Sequence, residues 1–304
     1  MTKSVIQTQD LTRRISGKTT VDQVNLFVKE GGIYGFLGPN GAGKTTTIRM
    51  LLGLTRPTSG DIYIFGKLLA SHRISILKNI GSLVESPSFY GHLTARENLE
   101  IVRRITAVPA SAVEDALRTV RLDKASNRFV REYSLGMKQR LGIATALLGL
   151  PKLLILDEPT NGLDPAGIQE IRELIKELPR RYGMSVLVSS HLLNEIDQMA
   201  SEVGILVEGQ LIFQGAIESL RKRSSPYLRI GVERPDYAAA ILRQSGCNIR
   251  VDGEFLYSEE TNHEAAAGIN RLLHEAGHHV FRLEEVKRSL EDIFLEITGK
   301  GSSL

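Results

Sequence analysis

A chain of 304 residues with 42% apolar content can bury one large core and a smaller one, which excludes an intrinsically disordered protein. Its 38 basic and 35 acidic residues are interspersed and leave a formal charge of +3; with no dense Lys/Arg block, nucleic acid is not expected as a partner. The single cysteine, Cys247, excludes an internal disulfide.

The opening MTKSVIQTQDLTRR lacks the continuous apolar core of a secretory signal and reads as the first strand of a soluble domain. Short β-rich runs follow in order: VNLFV, IYGFLG, IYIF, IGSLV, LLILD, SVLVSS and VGILVEG. Several are apolar throughout, as strands covered on both faces must be. Helical patterns interrupt this series between about 94 and 150. Thr94 and Glu97 form a capping box with Leu99, Val102 and Ile105 at helical spacing behind it, and Ser111 with Glu114 repeats the device. The run LGIATALLGLPKLLIL, residues 141 to 156, is broken by Pro151 and Lys152. A spanning helix needs about 20 apolar residues, so this run reads as a buried helix followed by a buried strand. The predicted class is α/β, with a helical subdomain at about 86–150 inserted into a domain spanning 1–220.

The segment IESLRKRSSPY is polar and contains proline, which places a domain boundary near 221. Residues 221–304 read as strand (YLRIGVE), helix (PDYAAAILRQSG), two short strands (CNIRV, EFLYS), helix (NHEAAAGINRLLHEAG), strand (HVFRLEEV) and a terminal helix (SLEDIFLEITG). That βαββαβ order predicts a small α+β, ferredoxin-like accessory or regulatory domain.

The stretch GPNGAGKTT, comprising Gly38, Pro39, Asn40, Gly41, Ala42, Gly43, Lys44, Thr45 and Thr46, matches the phosphate-loop pattern between a predicted strand and a predicted helix. Its glycines let backbone N–H groups turn toward phosphate oxygens at a helix N-terminus. Lys44 is placed to reach the β- and γ-phosphates and the Thr45 hydroxyl to bind Mg²⁺. LLILDEP, residues 153 to 159, ends an apolar strand on Asp157 and Glu158, at the sheet edge where ligands of such folds sit. Asp157 is expected to position hydrated Mg²⁺ and Glu158 to polarise the attacking water. These two elements alone suit a small-molecule kinase or a GTPase equally well. In YSLGMKQRLGIATALL, Ser134 opens a helix on which Met137, Leu141, Ala144 and Leu148 share one face, and Ser134 with Gly136 forms a second anion site. One chain cannot easily bring both anion sites to one nucleotide, which implies two subunits facing each other.

Over residues 3 to 220 the sequence resembles the ATP-binding cassette (ABC) family, the motor subunits of ABC transporters. YSLGM stands where that family has its LSGGQ signature, NGLDP with Asp164 looks like its dimer-contacting D-loop, and SSH with His191 looks like its His switch. The resemblance implies a P-loop ABC ATPase core, with ATP and Mg²⁺ as ligands and His191 on the γ-phosphate. It implies a homodimer or a paired ABC ATPase, with Ser134 and Gly136 acting on the partner's nucleotide. It further implies a separate membrane permease, and hence a peripheral place on the cytoplasmic face of the cell membrane. Glu85, in GSLVESPSFYG, falls where the family usually has the Q-loop glutamine, and is expected beside Mg²⁺ and the permease-contacting surface. This glutamate, with ESPSFYGHLTARENL and YSLGMKQRLGIA, is similar to the ATPases of bacitracin-resistance and lantibiotic-immunity transporters, and the ending SLEDIFLEITG also resembles related subunits. Two positions depart from the family: Leu135 replaces the first glycine of the signature, and Ile15 stands where an aromatic ring commonly meets adenine. Rival readings are an exporter motor for another cargo, a soluble non-transport ABC ATPase acting on ribosomes or DNA, and a nucleotide-dependent switch with little turnover.

Overall fold

The computed structural model, which describes residues 3–85, 88–222 and 226–286, divides between Ile217 and Glu218 into two units. In the first, the chain forms β1 (Ser4–Ile15), β2 (Lys18–Val24), β3 (Phe27–Lys29), β4 (Ile33–Leu37), α1 (Lys44–Leu51), β5 (Ser59–Ile64), β6 (Lys67–Leu68), α2 (Leu69–Leu77) and β7 (Ile80–Leu83). Then come α3 (Ala95–Thr106), α4 (Ser111–Thr119) and α5 (Leu135–Leu147). The α/β pattern resumes with β8 (Leu153–Leu156), α6 (Pro165–Tyr182), β9 (Ser185–Ser190), α7 (Leu193–Asp197), β10 (Glu202–Val207) and β11 (Gln210–Ala216), after which α8 (Ile217–Lys222) crosses the division.

One sheet has the order β11-β10-β4-β9-β8-β7, parallel from β10 to β7, with β11 antiparallel at its edge. Strands β4, β8 and β9 are buried at every residue, as apolar runs covered on both faces require. Side chains of α1 (Ile48, Met50, Leu51) share a core with Leu153, Ile155 and Leu187 from these strands. Each fully buried aliphatic side chain there contributes about 1.5–3 kcal/mol. The strands β4, β9 and β8 are neighbours, with Leu37 opposite Ser190 and Leu156 opposite Val188. The loops that follow them, starting at Gly38, His191 and Asp157, therefore leave one edge of the sheet together. A second, antiparallel sheet has the order β2-β1-β5-β6, with β3 also on β1.

Local sequence rules fail at three places. VNLFV is not one strand: β2 ends at Val24 and β3 begins at Phe27, because the Asn25 side chain bonds the backbone N–H and carboxylate of Asp10 and the carbonyl of Gln23. Thr94 and Glu97 do form a capping box on α3, but Ser111 is already inside α4. There Ala110 is the cap position without a side-chain bond, the Pro109 and Ala110 carbonyls start the turn, and Glu114 pairs with Arg96 instead. Finally, α5 has no single apolar face. Gln139, Leu141, Gly142, Ile143, Ala144, Ala146 and Leu147 are all buried, while Met137 is only half-buried.

In the second unit, β12 (Tyr227–Val232), α9 (Pro235–Gln244), β13 (Ile249–Asp252), β14 (Phe255–Ser258), α10 (His263–Glu275) and β15 (Val280–Val286) form an antiparallel sheet of order β13-β14-β12-β15. Counting strands from β12, this is 2-3-1-4, the ferredoxin-like arrangement. Leu228, Ile230, Val232 and Leu256 on one sheet face pack with Ala238, Ala239 and Leu242 of α9 and with Ile269 and Leu273 of α10. The terminal helix read in SLEDIFLEITG lies outside the described residues.

Candidate nucleotide site

The loop from Gly38 to Gly43 is pressed between two carbonyls. A Cβ at Gly38 would fall 2.3 Å from the Leu206 carbonyl oxygen, and one at Gly43, where φ is +105°, would fall 2.6 Å from that of Thr20. Only glycine fits such contacts, and only glycine adopts such a φ without strain. Gly43 is also the N-cap of α1 and has no side chain to cap it, so the first-turn amides of Lys44, Thr45 and Thr46 are left to a ligand. Pro39 closes the loop by accepting from Ala42 N at 3.1 Å, Asn40 lies between them, and the Thr47 hydroxyl donates to Gly43 O.

Lys44 is 6% exposed and folds back over this loop. Its Nζ donates to Gly38 O at 2.6 Å and to Pro39 O at 3.3 Å, and lies 3.1 Å from Glu158 Oε1. That last contact is an ion pair without hydrogen-bond alignment: Glu158 Oε1 is buried and accepts no hydrogen bond. The other Glu158 oxygen, Oε2, meets His191 Nδ1 at 2.8 Å. A glutamate with φ +49° is costly, by about 1 kcal/mol or more, and here that backbone turns the carboxylate toward both Lys44 and His191.

Asp157 is fixed from two sides. Its backbone N donates to Leu83 O at 2.8 Å, while the Ser189 hydroxyl donates to Asp157 Oδ1 at 2.6 Å and accepts from Glu158 N at 2.9 Å. Ser189 thus sets the spacing of the two acids; sequence reasoning passed over it, although it is the first serine of the quoted SSH. Lys44, Asp157, Glu158 and His191 are therefore gathered in one chain.

The remaining predicted residues lie in other contacts. Among the described residues, no hydrogen bond or ion pair joins Ser134, Gly136, Asp164 or Glu85 to that group of four. Ser134 is exposed and caps α5, accepting from Met137 N; Asp164 caps α6 in the same way, accepting from Gly167 N at 3.1 Å. A Cβ at Gly162 would sit 3.3 Å from Leu135 Cδ2, and one at Gly136 would sit 3.9 Å from Leu163 Cδ2. The start of α5 and the loop before α6 thus share a surface, on which Leu135 is half exposed. Glu85 has φ +62°, is exposed, and is ion-paired with Arg49 in the last turn of α1. Arg49 is one turn from Thr45 on the same helix face, so Glu85 reaches the helix that carries the predicted metal ligand. Ile15 is exposed where β1 turns into β2.

The family profile described as "ABC transporter" matches residues 21–161. Over 98% of this chain and 99% of its own length, the bacitracin transport ATP-binding protein BcrA of Bacillus licheniformis is 44% identical to it. The chain belongs to the ABC transporter ATP-binding family. The lantibiotic transport ATP-binding protein SrtF of Streptococcus pyogenes is 41% identical, covering 69% of this chain and 90% of its own. A solved ATP-binding subunit of an ABC transporter superposes with a TM-score of 0.64 at 29% identity, over 72% of this chain and 93% of its own. This ABC subunit is accordingly an ATP-binding protein and an ATPase, and the family match falls within its first unit. Among its described residues no helix is long and apolar enough to cross a membrane.

The donor set suits Mg²⁺. Asp157 and the Thr45 hydroxyl offer hard oxygen donors, and among the described residues no group of three His, Cys, Asp or Glu is arranged to hold a metal ion. A cation bound through one or two protein oxygens plus substrate phosphates is the usual Mg²⁺ arrangement.

Proposed function

We propose that this subunit hydrolyses ATP in a dimer, with itself or with a paired ABC ATPase, and drives a separate membrane permease from the cytoplasmic face of the cell membrane. The observation that carries the reading is the junction of Glu158 with both Lys44 and His191 at the end of the phosphate loop. Lys44 and Glu158 pair with each other; triphosphate oxygens would compete for the ammonium and leave Oε1 for the attacking water. Glu158 is then the general base. His191 meets Glu158 through Nδ1 and would offer an Nε2–H to the γ-phosphate. The free amides of Lys44 to Thr46 bind the phosphates, and Thr45 and Asp157, with Glu85 adjoining, would hold Mg²⁺. Bound Mg²⁺ would neutralise charge on the phosphate oxygens.

Ser134 and Gly136 would meet the nucleotide of the facing chain. The exposure of Ser134, and the place of the half-buried Gly136 beside Leu163, support this. Cargo of the bacitracin or lantibiotic type is supported by what the two relatives are named for transporting. The surface from Glu85 to Tyr90 would face the permease, and the ferredoxin-like unit would serve as accessory or regulator. Phosphate release by the Glu158→Gln variant is the test: a general base is worth about 10²- to 10⁴-fold, so a loss of at least 10²-fold is expected with nucleotide binding retained. Turnover at the normal rate would remove Glu158 from the chemistry.

A further inference from the structure

Glu195 is buried, and one of its oxygens carries two hydrogen bonds, one from the loop after β8 and one from the last residue of β9, where the next loop begins. Oε2 accepts from the Thr160 hydroxyl at 2.6 Å and from the Ser190 hydroxyl at 3.0 Å. Thr160 and Ser190 are themselves buried, at 4% and 1% exposure. Thr160 is two residues past Glu158, inside the turn in which Asn161 N donates to Glu158 O and Leu163 N to Thr160 O, just before Asp164. Ser190 immediately precedes His191, and its hydroxyl also accepts from Leu192 N at 3.0 Å. The helix bearing Glu195 is seated on the phosphate-loop strand: Ile196 packs so closely on Gly35 of β4 that a Cβ there would fall 2.1 Å from Ile196 Cγ2.

From this geometry we infer that Glu195 is a positioning residue for hydrolysis, which ties the loop after β8 to the loop after β9 so that Glu158 and His191 meet. The inference rests on the roles proposed above for those two residues. Two loops that leave adjacent strands have no backbone bond between them beyond the strand ends, and each carries one member of the reacting pair. A single fixed acceptor beneath both loops restricts their relative movement. It also connects the His191 side of the site to the turn that leads to Asp164, so movement of that turn against a facing subunit would be transmitted to Glu158 and His191. Because both hydroxyls use the same oxygen, the tether needs a carbonyl-type acceptor at this position and not a negative charge.

The full chain carrying Glu195→Ala, Glu195→Gln or Thr160→Val is assayed for MgATP hydrolysis and, in parallel, for equilibrium binding of a fluorescent ATP analogue. Displacing a catalytic group by about 1 Å costs up to roughly 10²-fold in rate, so Glu195→Ala is expected to lose about 10- to 100-fold in kcat with binding changed less than about 3-fold. Glu195→Gln is expected to retain near-normal kcat, since its amide oxygen can accept both hydroxyls. A normal kcat for Glu195→Ala overturns the inference, as does a Glu195→Gln variant as slow as Glu195→Ala. Should Glu195→Ala fail to fold, Thr160→Val removes one tether and leaves Glu195 in place; its kcat falls if the inference holds, and a normal kcat overturns it. Glu158→Gln in the same assay separates the two levels. If it stays active, the catalytic assignment fails; if it is inactive while the tether variants are normal, only the role of Glu195 falls.

Discussion

A carboxylate close to the triphosphate is an electrostatic problem, since two like charges 4 Å apart repel by about 4 kcal/mol at an effective dielectric of 20. For Glu85, proposed to adjoin the phosphates, Arg49 would offset it by pairing with it from α1. Both side chains are largely solvated, and such exposed pairs are worth about 0–1 kcal/mol, so the pair orients Glu85 more than it stabilises the fold. Glu85→Gln is therefore expected to leave nucleotide affinity within about 3-fold and to shift the Mg²⁺ concentration that gives half-maximal hydrolysis, read by metal titration at fixed ATP. An unchanged metal titration would take Glu85 out of the metal's surroundings. The sequence announces Lys44, Asp157, Glu158 and His191 because each ends or follows an apolar strand within a recognisable motif. Arg49 is 36 residues from Glu85 and Glu195 is 35 from Thr160, and no local pattern marks either pair. Both reside in three-dimensional proximity, which periodicity does not encode.

At the scale of single elements, α3 shows how far local rules reach. Its capping box is written in Thr94 and Glu97, and the backbone N–H and hydroxyl of Thr94 hold Glu97 below the usual carboxylate range. One turn on, hydrogen bonds from Arg103 and then Arg104 bring Glu100 down from 4.5 to about 2. A carboxylate whose folded pKa is depressed adds stability that is fully present above its ordinary pKa and is lost as pH falls through the folded value. Thermal midpoints of the normal chain and of Glu100→Gln should thus differ most above pH 5 and converge between about pH 4.5 and 2, less visibly at high salt. A constant difference across that range would show that the Arg103 and Arg104 contacts do not act through the charge of Glu100. The same rule misplaced the cap at Ser111, because Pro109 turns the chain one residue earlier and the carbonyls do the work of a side chain. It also gave α5 one apolar face, whereas an inserted helix packed by α3, α4, α6 and β7 is enclosed nearly all round. Strands β4, β8 and β9 were legible because complete burial leaves a run without polar interruption.

At the scale of the whole molecule, the proposed dimer requires that a second chain complete the nucleotide site. Lys44, Glu158 and His191 meet at the start of α1, while among the described residues Ser134 and Gly136 make no hydrogen bond or ion pair with that group and adjoin Gly162 and Leu163. Leu135, half exposed at the first position of α5, tests whether that surface closes over a second chain's nucleotide. Within its own chain, an acidic residue there is favourable by about 0.3–1 kcal/mol, since it sits at a helix N-terminus. Across a nucleotide-filled interface the same charge would meet triphosphate, where repulsion of about 4 kcal/mol is enough to reduce dimerisation by roughly 10³-fold. Glu158→Gln with MgATP is therefore expected to sediment as a dimer, and the Glu158→Gln, Leu135→Glu double variant as a protomer that still binds ATP and melts no lower than its parent. If the double variant dimerises as readily as Glu158→Gln alone, the start of α5 does not touch the facing nucleotide, and the anion site formed by Ser134 and Gly136 must be assigned another ligand.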